Sequence, residues 1–138
     1  MTSSSFKLKI IVPEKTYFDG EADSISVVTS GGMLTILAHH ADLIANIEIS
    51  HMTLKSNGHV TEYALSGGVM SIYQKENTVL LIVNAIESQE EINLERAMKA
   101  KENAQKRLQE QDLPLREQMK AEIKLKRALN RISLKNSK

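Results

Sequence analysis

The chain of 138 residues contains no cysteine, which excludes disulfide bonds and cysteine-ligated metal sites. The absence of cysteine also fits a reducing compartment. No apolar run approaches the roughly 20 residues that a membrane-spanning helix needs. The first residues show no basic stretch followed by an apolar one, so we expect no secretory signal. These absences together predict a cytosolic chain.

The motifs of common enzyme classes are absent as well. There is no Gly-rich phosphate loop, no Gly-x-Ser-x-Gly elbow and no His-Glu-x-x-His helix. The four histidines have no convincing metal-ligand spacing, and we interpret them as loop or strand-edge residues. Gly31-Gly32 and Gly67-Gly68 are interpreted as tight turns. We therefore expect a non-catalytic chain that requires no cofactor and no metal.

The composition changes near residue 88. All six Gly, all five aromatic residues and every Val and Thr lie before that point. Residues 1–88 carry five Lys/Arg against nine Asp/Glu, whereas residues 89–138 carry 13 against eight. The second part is rich in Ala, Leu, Glu, Gln, Lys and Arg, which favour helices. The pattern predicts a slightly acidic β domain at residues 1–87 and a basic helical domain at residues 88–138.

Short segments with period-two alternation or β-branched residues predict the strands of the first domain. They cover residues 6–10, 24–29, 33–37, 43–49, 52–56, 59–65, 69–73 and 78–85. Turns are expected at Asp19-Gly20 and at Asn57-Gly58, and the second dipeptide is the strongest short hairpin signal. Many short strands separated by turn residues indicate a β-sandwich or a barrel.

Two helices are predicted after residue 88. Ser88-Gln89-Glu90-Glu91 has the pattern of a capping box, so the first helix is expected to run from there to about Gln109. Pro114 favours the start of a second helix over about 114–132, beyond which the polar end is expected to fray. The predicted inward residues are Leu94, Ala97, Met98, Ala104 and Leu108, then Ala121, Leu125, Ala128, Leu129 and Ile132, widened by Leu115, Met119 and Ile123.

A basic stripe lies on the second predicted helix, opposite its apolar side. Its members fall within about 80° of arc on an ideal helix, and they are Arg116, Lys120, Lys124, Arg127 and Arg131. Like charges on one stripe repel each other and do not stabilise the helix. The stripe is therefore either a solvated face or a surface for an acidic partner.

Five stretches of the sequence carry the pattern of a known family. They read GMLTILAHHADL at 32–43, LSGGV at 65–69, VLLIVNAIE at 79–87, INLERA at 92–97 and KRALNRI at 126–132. In this order and spacing, the chain resembles the epsilon subunit of F-type proton-translocating ATP synthases over nearly its whole length. The resemblance implies a mainly β plus α fold, in which a β-sandwich of about ten strands precedes a C-terminal antiparallel two-helix hairpin.

The resemblance also implies a non-catalytic place in the central rotor stalk. The sandwich is expected to bind the gamma subunit and the c-ring. The tail is expected either to fold against the sandwich or to extend along gamma toward the alpha and beta catalytic subunits, and to inhibit ATP hydrolysis when it is extended. The chain would then be peripheral, at the cytoplasmic face of the bacterial plasma membrane. A chain encoded inside an organelle would have the same sequence features.

Two partner-binding surfaces follow from the resemblance. The ring-contacting loops map to Ser30, Gly31, Gly32 and Met33 and to His39, His40, Ala41, Asp42 and Leu43. This chain has Met33 where many members carry an acidic residue. The basic stripe, formed by Arg116, Lys120, Lys124, Arg127 and Arg131, is expected to engage a short acidic segment of beta.

Some bacterial members bind ATP on the folded hairpin through an Ile/Leu-Asp-x-x-Arg-Ala motif and further arginines. Asn93 replaces the motif's Asp here, and two of the further arginine positions are Asn103 and Lys120. The remaining candidate residues are Glu87, Ile92, Asn93, Arg96, Ala97, Arg127 and Arg131. Because Lys and Asn do not reproduce the bidentate pairing of arginine, ATP is expected only as a weak regulatory ligand.

Two other functions stay open on the sequence alone. A nucleic-acid-binding protein would use the same basic helix on phosphates, although the net charge of +1 and the lack of aromatic residues near the stripe argue against it. An adaptor that combines a sandwich with a partner-binding helix pair would make no prediction about ATPase rate.

Overall fold

The computed structural model describes residues 4–137, and the chain divides into two compact units between Ser88 and Gln89. The first unit consists of strands and the second of two helices, so the predicted mainly β plus α fold is confirmed. Residues 1–3 lie outside the described residues. They belong to the segment from which we expect no secretory signal.

Eight strands form one hydrogen-bonded sheet in the part of the chain that the structure describes. They are β1 (Phe6–Val12), β2 (Lys15–Ala22), β3 (Ser24–Thr29), β4 (Gly32–Ile36), β5 (Leu43–Ser56), β6 (His59–Tyr73), β7 (Thr78–Val83) and β8 (Ile86–Ser88). Their order is β2-β1-β7-β6-β5-β3-β4, and β8 also pairs with β6. The pairs are antiparallel except for β1 and β7, which run parallel.

The sheet folds over on itself into a sandwich. Tyr17 of β2 meets Tyr63 of β6 edge to face with ring centroids 6.1 Å apart, although β1 and β7 separate these two strands in the sheet. The alternation predicted for residues 6–10 of β1 is confirmed, because Phe6, Leu8 and Ile10 are buried and Lys7 and Lys9 are exposed. The largest fully buried side chains of the core are Phe6, Leu8, Ile10, Ile25, Ile36, Met52, Leu65, Met70 and Leu81.

The long hairpin of β5 and β6 explains why there are eight strands and not ten. Each of these strands is continuous where the sequence predicted two shorter ones, and they pair in one register from Leu43–Ile72 to Ser56–His59. The predicted Asn57-Gly58 turn between them is confirmed, with φ angles of 52° and 78°. Pairing with neighbouring strands along the whole hairpin outweighs the local turn signals.

Three turn or cap predictions are wrong for the same reason. Gly67-Gly68 is not a turn but lies inside β6, where the Gly67 carbonyl accepts a hydrogen bond from the Asn84 N–H at 2.9 Å. Asp19-Gly20 lies inside β2 and pairs with β1. Ser88 does not open a helix, because it pairs with Tyr63 at the end of β8.

The two helices are α1 (Leu94–Leu108) and α2 (Leu115–Asn136). Asn93 caps α1, since its side-chain oxygen accepts a hydrogen bond from the Arg96 N–H at 3.0 Å. Pro114 directly precedes α2 as predicted, but the helix continues beyond residue 132 and does not fray there. Neither of these helices is long and apolar enough to cross a membrane, as judged over the described residues.

Alanine occupies four of the five buried positions of the helices. These positions are Ala97, Ala104, Ala121, Ala128 and Leu134, of which the four alanines were predicted. The wider apolar face was predicted wrongly, because six of its large side chains are exposed: Leu94, Met98, Leu115, Met119, Ile123 and Leu129. One partner helix that packs on alanines covers only a narrow strip of its neighbour. The hairpin therefore buries little apolar area.

Replacing Gly68 tests the close approach of β6 and β7. A Cβ atom there would collide with the Ile82 carbonyl oxygen and come within 2.7 Å of the Val83 Cα, both backbone atoms that cannot rotate away. We expect Gly68→Ala to lower the free energy of unfolding by roughly 2–4 kcal/mol in urea denaturation. Gly31→Ala is the control, with a nearest neighbour 3.7 Å away, and should change stability by less than about 0.5 kcal/mol. Equal stabilities would contradict the packing described here.

Candidate functional site

The first of the two predicted ring-contacting loops, residues 30–33, contains a tight turn between β3 and β4, as predicted for Gly31-Gly32. Gly32 has a φ of 119°, which favours glycine, and the Thr29 hydroxyl donates to the Gly32 carbonyl at 2.7 Å. The Ser30 N–H donates to the Asn46 carbonyl of β5 at 3.2 Å. The turn is therefore held both within itself and by the neighbouring strand.

The second predicted ring-contacting loop, residues 39–43, is held by hydrogen bonds to the turn between β6 and β7. The His39 N–H donates to the Asn77 side-chain oxygen at 2.7 Å, and the Gln74 side-chain amide donates to the His39 carbonyl at 3.0 Å. The Asp42 carboxylate accepts the Gln74 N–H at 2.8 Å. These bonds hold His39 at a φ of 63°, a conformation that non-glycine residues seldom adopt. Gln74 and Asn77 carried no sequence signal for this role.

The two loops lie along the same end of β5. The first is bonded at Asn46 and the second runs into β5 at Leu43, so about 10 Å of strand separates their attachment points. Leu43 itself packs against the core and serves as an anchor. The exposed side chains beside the loops include Met33 and Ile44, which are 76% and 77% accessible. Ile44 was not predicted, although it faces outward by alternation with the inward residues of β5.

One face of the sandwich is apolar and exposed. Ile11 of β1 pairs with Ile82 of β7, which pairs with Val69 of β6, so a row of β-branched side chains crosses three strands. Ile82 and Val69 are 52% and 40% accessible, and the apolar row ends at β5, where the partner of Val69 is Asn46. Contiguous exposed apolar surface of this kind marks interaction sites. This face was not predicted, because a period-two pattern assigns alternate strand positions to solvent.

The loop between the helices is bridged by ion pairs. One guanidinium nitrogen of Arg107 lies 2.7 Å from Glu110, and the other lies 3.4 Å from Glu117 of α2. The hydrogen bond and charge of Glu110, with smaller contributions from Glu117, raise the pKa of Arg107 above its usual value. Because these groups are exposed, solvent screens the pairs and they contribute little to stability.

A groove of about 460 Å³ runs between the two helices. Its lining includes Ala100, Asn103, Ala104, Arg107, Glu117, Lys120, Ala121, Lys124, Arg127 and Arg131. Four of the five stripe residues therefore line the groove beside the buried alanines, whereas Arg116 does not. The prediction that the stripe lies opposite the inward face is wrong, because the groove opens along the edge of the narrow alanine contact.

One donor of a groove-lining residue is unsatisfied. In residues 4–137, the Arg127 Nε is a buried side-chain nitrogen without a hydrogen-bond partner. A buried donor left without a partner costs roughly 1–3 kcal/mol. An anion in the groove would supply an acceptor, so the arrangement favours binding of negatively charged groups.

The predicted nucleotide-binding residues separate into two groups. Arg127 and Arg131 line the groove together with the substituted positions Asn103 and Lys120. The motif residues lie elsewhere in the second unit: Asn93 is the cap of α1, Ile92 and Ala97 are buried, and Arg96 is exposed in the first turn. Glu87 belongs to β8 of the first unit. The structure thus brings the α2 arginines together and leaves the motif residues outside the groove.

Comparison with known families agrees with this two-part structure. Residues 5–89 match the beta-sandwich domain of the ATP synthase delta/epsilon chain, and residues 90–136 match the long alpha-helix domain of the same chain. This chain belongs to the ATP synthase delta/epsilon chain family. It is similar to the ATP synthase epsilon chain of Ruminococcus albus, with 36% identity over 96% of this chain and 98% of the relative. It is also 36% identical to that of Caldicellulosiruptor bescii, over 95% of this chain and 93% of the relative.

Solved structures share the fold at lower identity. A chain in the mitochondrial ATP synthase of Euglena gracilis superimposes with a TM-score of 0.78 at 20% identity, covering 94% of this chain and 80% of that one. A chain in the central stalk and c-ring of the Tetrahymena thermophila enzyme gives a TM-score of 0.62 at 13% identity, covering 99% and 100%. The resemblance to the epsilon subunit and the β-sandwich prediction are confirmed. The nucleic-acid-binding and generic adaptor alternatives lose their support.

Proposed function

We propose that this epsilon-type subunit joins gamma to the c-ring through its sandwich and regulates ATP hydrolysis through a mobile helix hairpin. The observation that carries the proposal is the contrast between a sandwich with a large apolar core and helices that bury four alanines and one leucine. The chain itself would be non-catalytic, and hydrolysis would take place in the beta subunits. It would sit peripherally at the cytoplasmic face of a bacterial membrane.

In this proposal the sandwich has two contact surfaces. The exposed apolar face around Val69 and Ile82 would bind gamma, because burying it removes apolar surface from water. The two loops at the end of β5 would rest on the c-ring. Met33 and Ile44 project there, so the ring contact of this chain would be more apolar than one made by an acidic residue.

The cations of α2 would act in the extended state of the tail. Lys120, Lys124, Arg127 and Arg131 share one groove, and the lining of that groove also includes the carboxylate of Glu117. Opening the hairpin would free these charges for an acidic segment of beta. Complementary charge would then hold the tail in the inhibitory position.

Changing the apolar face tests the gamma contact. We expect Ile82→Lys to weaken binding to gamma about tenfold or more, because a charge would be buried at an apolar contact. Val60→Lys is a matched control, since Val60 is also an exposed β-branched strand residue but lies outside this face. Surface-immobilised gamma and biolayer interferometry would measure both variants. Equal binding by the two variants would rule out this face as the gamma site.

Reversing the groove charges tests the inhibitory contact. A variant with Lys120, Lys124, Arg127 and Arg131 changed to Glu should raise ATP hydrolysis to the rate of a complex without the helices, while the sandwich stays bound. The control reverses four basic residues that do not line the groove: Lys99, Lys101, Lys106 and Lys126. Hydrolysis would be measured in the reconstituted complex. An unchanged rate in the first variant, or equal rates in both, would count against the proposal.

A second candidate function is weak ATP binding in the same groove, favoured by the unpaired Arg127 Nε. Bound phosphates would accept hydrogen bonds from Arg127, Arg131 and Lys120. They would also bridge the two helices and stabilise the closed hairpin. Asn103 lines the same groove on α1, and its side chain offers no guanidinium to the bound phosphates.

Restoring that guanidinium should strengthen binding. We expect Asn103→Arg to raise ATP affinity about tenfold or more, since one charge-assisted contact contributes roughly 1.5–3 kcal/mol. Gln105→Arg adds the same charge two residues away and outside the groove lining, so it should have little effect. Isothermal titration calorimetry with ATP compares them. If both variants gain equally, the effect is one of net charge and the groove is not the site.

A further inference from the structure

The first residue of the helical unit is bonded to the last turn of α2. The Gln89 side-chain amide donates to the Leu134 carbonyl at 2.8 Å and to the Ser137 carbonyl at 2.9 Å. In return, the Lys135 ammonium donates to the Gln89 backbone carbonyl at 3.0 Å. We call these contacts the Gln89 latch. They join residues more than 40 positions apart in sequence, and they close the hairpin at the end opposite its connecting loop.

The position of the latch in the chain makes it sensitive to hairpin opening. Gln89 directly follows Ser88, the last residue of β8, so it is the point at which the chain leaves the sandwich. The last four carbonyls of a helix have no partner within the helix. At the end of α2, the Leu134 carbonyl accepts from the Gln89 amide and from the hydroxyl and N–H of Ser137, donors that water would otherwise provide. When α2 separates from α1, all of the hydrogen bonds of Gln89 to the end of α2 break together.

The latch also lies beside the largest buried side chain of the helices. Leu134 is 1% accessible, and the other buried positions of α1 and α2 are alanines. Bonding of the Leu134 carbonyl to Gln89 therefore holds in place the residue that contributes most apolar burial in α2. By contrast, the ion pairs of Arg107 lie near the loop, where the helices stay joined by the chain and where solvent screens them.

We propose that the Gln89 latch sets the fraction of hairpins that open, and so sets how often the tail reaches its inhibitory position. The expected effect on ATP hydrolysis rests on the proposed function, whereas the opening of the hairpin is a property of the chain alone. Removing the two carbonyl bonds of Gln89 should raise the ratio of open to closed hairpins about tenfold. Gln89 has no part in the sandwich face, the loops or the groove.

The test is a distance measurement on the full chain. Because the chain has no cysteine, nitroxide labels can be attached at Glu95→Cys and Ser133→Cys, two exposed positions at the latch end of α1 and α2. Gln89→Met keeps an unbranched side chain of similar length but removes the donor. Gln105→Met is the control on the exposed side of α1. Pulsed electron paramagnetic resonance then reports the populations of short and long distances.

The proposal predicts that Gln89→Met increases the long-distance population and that Gln105→Met does not. Circular dichroism confirms that each variant keeps its helices, and Gln89→Leu provides a second variant that removes the same donor. Unchanged distances in both Gln89 variants would overturn the latch. Hydrolysis by the reconstituted complex is a separate readout. If distances lengthen but hydrolysis does not fall, the latch stands and the proposed regulatory function fails.

Discussion

The narrow alanine contact between α1 and α2 is the constraint on which the behaviour of this protein depends. A buried methyl or methylene group contributes about 0.8 kcal/mol, whereas a fully buried leucine contributes about 1.5–3 kcal/mol. The 37 residues of α1 and α2 bury four alanines and Leu134, so separating the two helices exposes little apolar area. A closed hairpin held this weakly can be opened by modest binding energies. A small free-energy difference between the closed and open hairpin is what a two-state switch requires.

The sandwich, unlike the helices, buries many large apolar side chains. Its core draws fully buried side chains from strands throughout the sheet, and the long β5–β6 hairpin keeps one register along its whole length. The close approach of Gly68 to β7 lets the strands pack where a side chain would not fit. The loops at the end of β5 are fixed by Gln74 and Asn77 and do not rely on their own residues alone. The proposed partner-binding surfaces thus sit on the sandwich, and the cationic surface sits on the helices.

Much of this architecture could be predicted from the sequence, and the failures have physical causes. The Asn57-Gly58 turn and the buried alanines follow from local conformational preference and helical periodicity. Ser88 and Gly67-Gly68 carry strong local signals for a cap and a turn, but strand pairing with β6 and β7 decides their conformation. The groove could not be anticipated, because helical periodicity gives the angle of Arg127 on α2 but not where the neighbouring helix lies. The Gln89 contacts join distant residues, and no local pattern encodes them.

The central claim is that the sandwich holds the subunit in the motor while the helices only regulate it. The most direct test compares ATP hydrolysis by the catalytic subunits and gamma in the presence of the full chain or of a chain that ends at Ser88, which retains β8. The account predicts that both chains bind gamma equally and that only the full chain slows hydrolysis. Equal hydrolysis rates, with both chains bound, would contradict it.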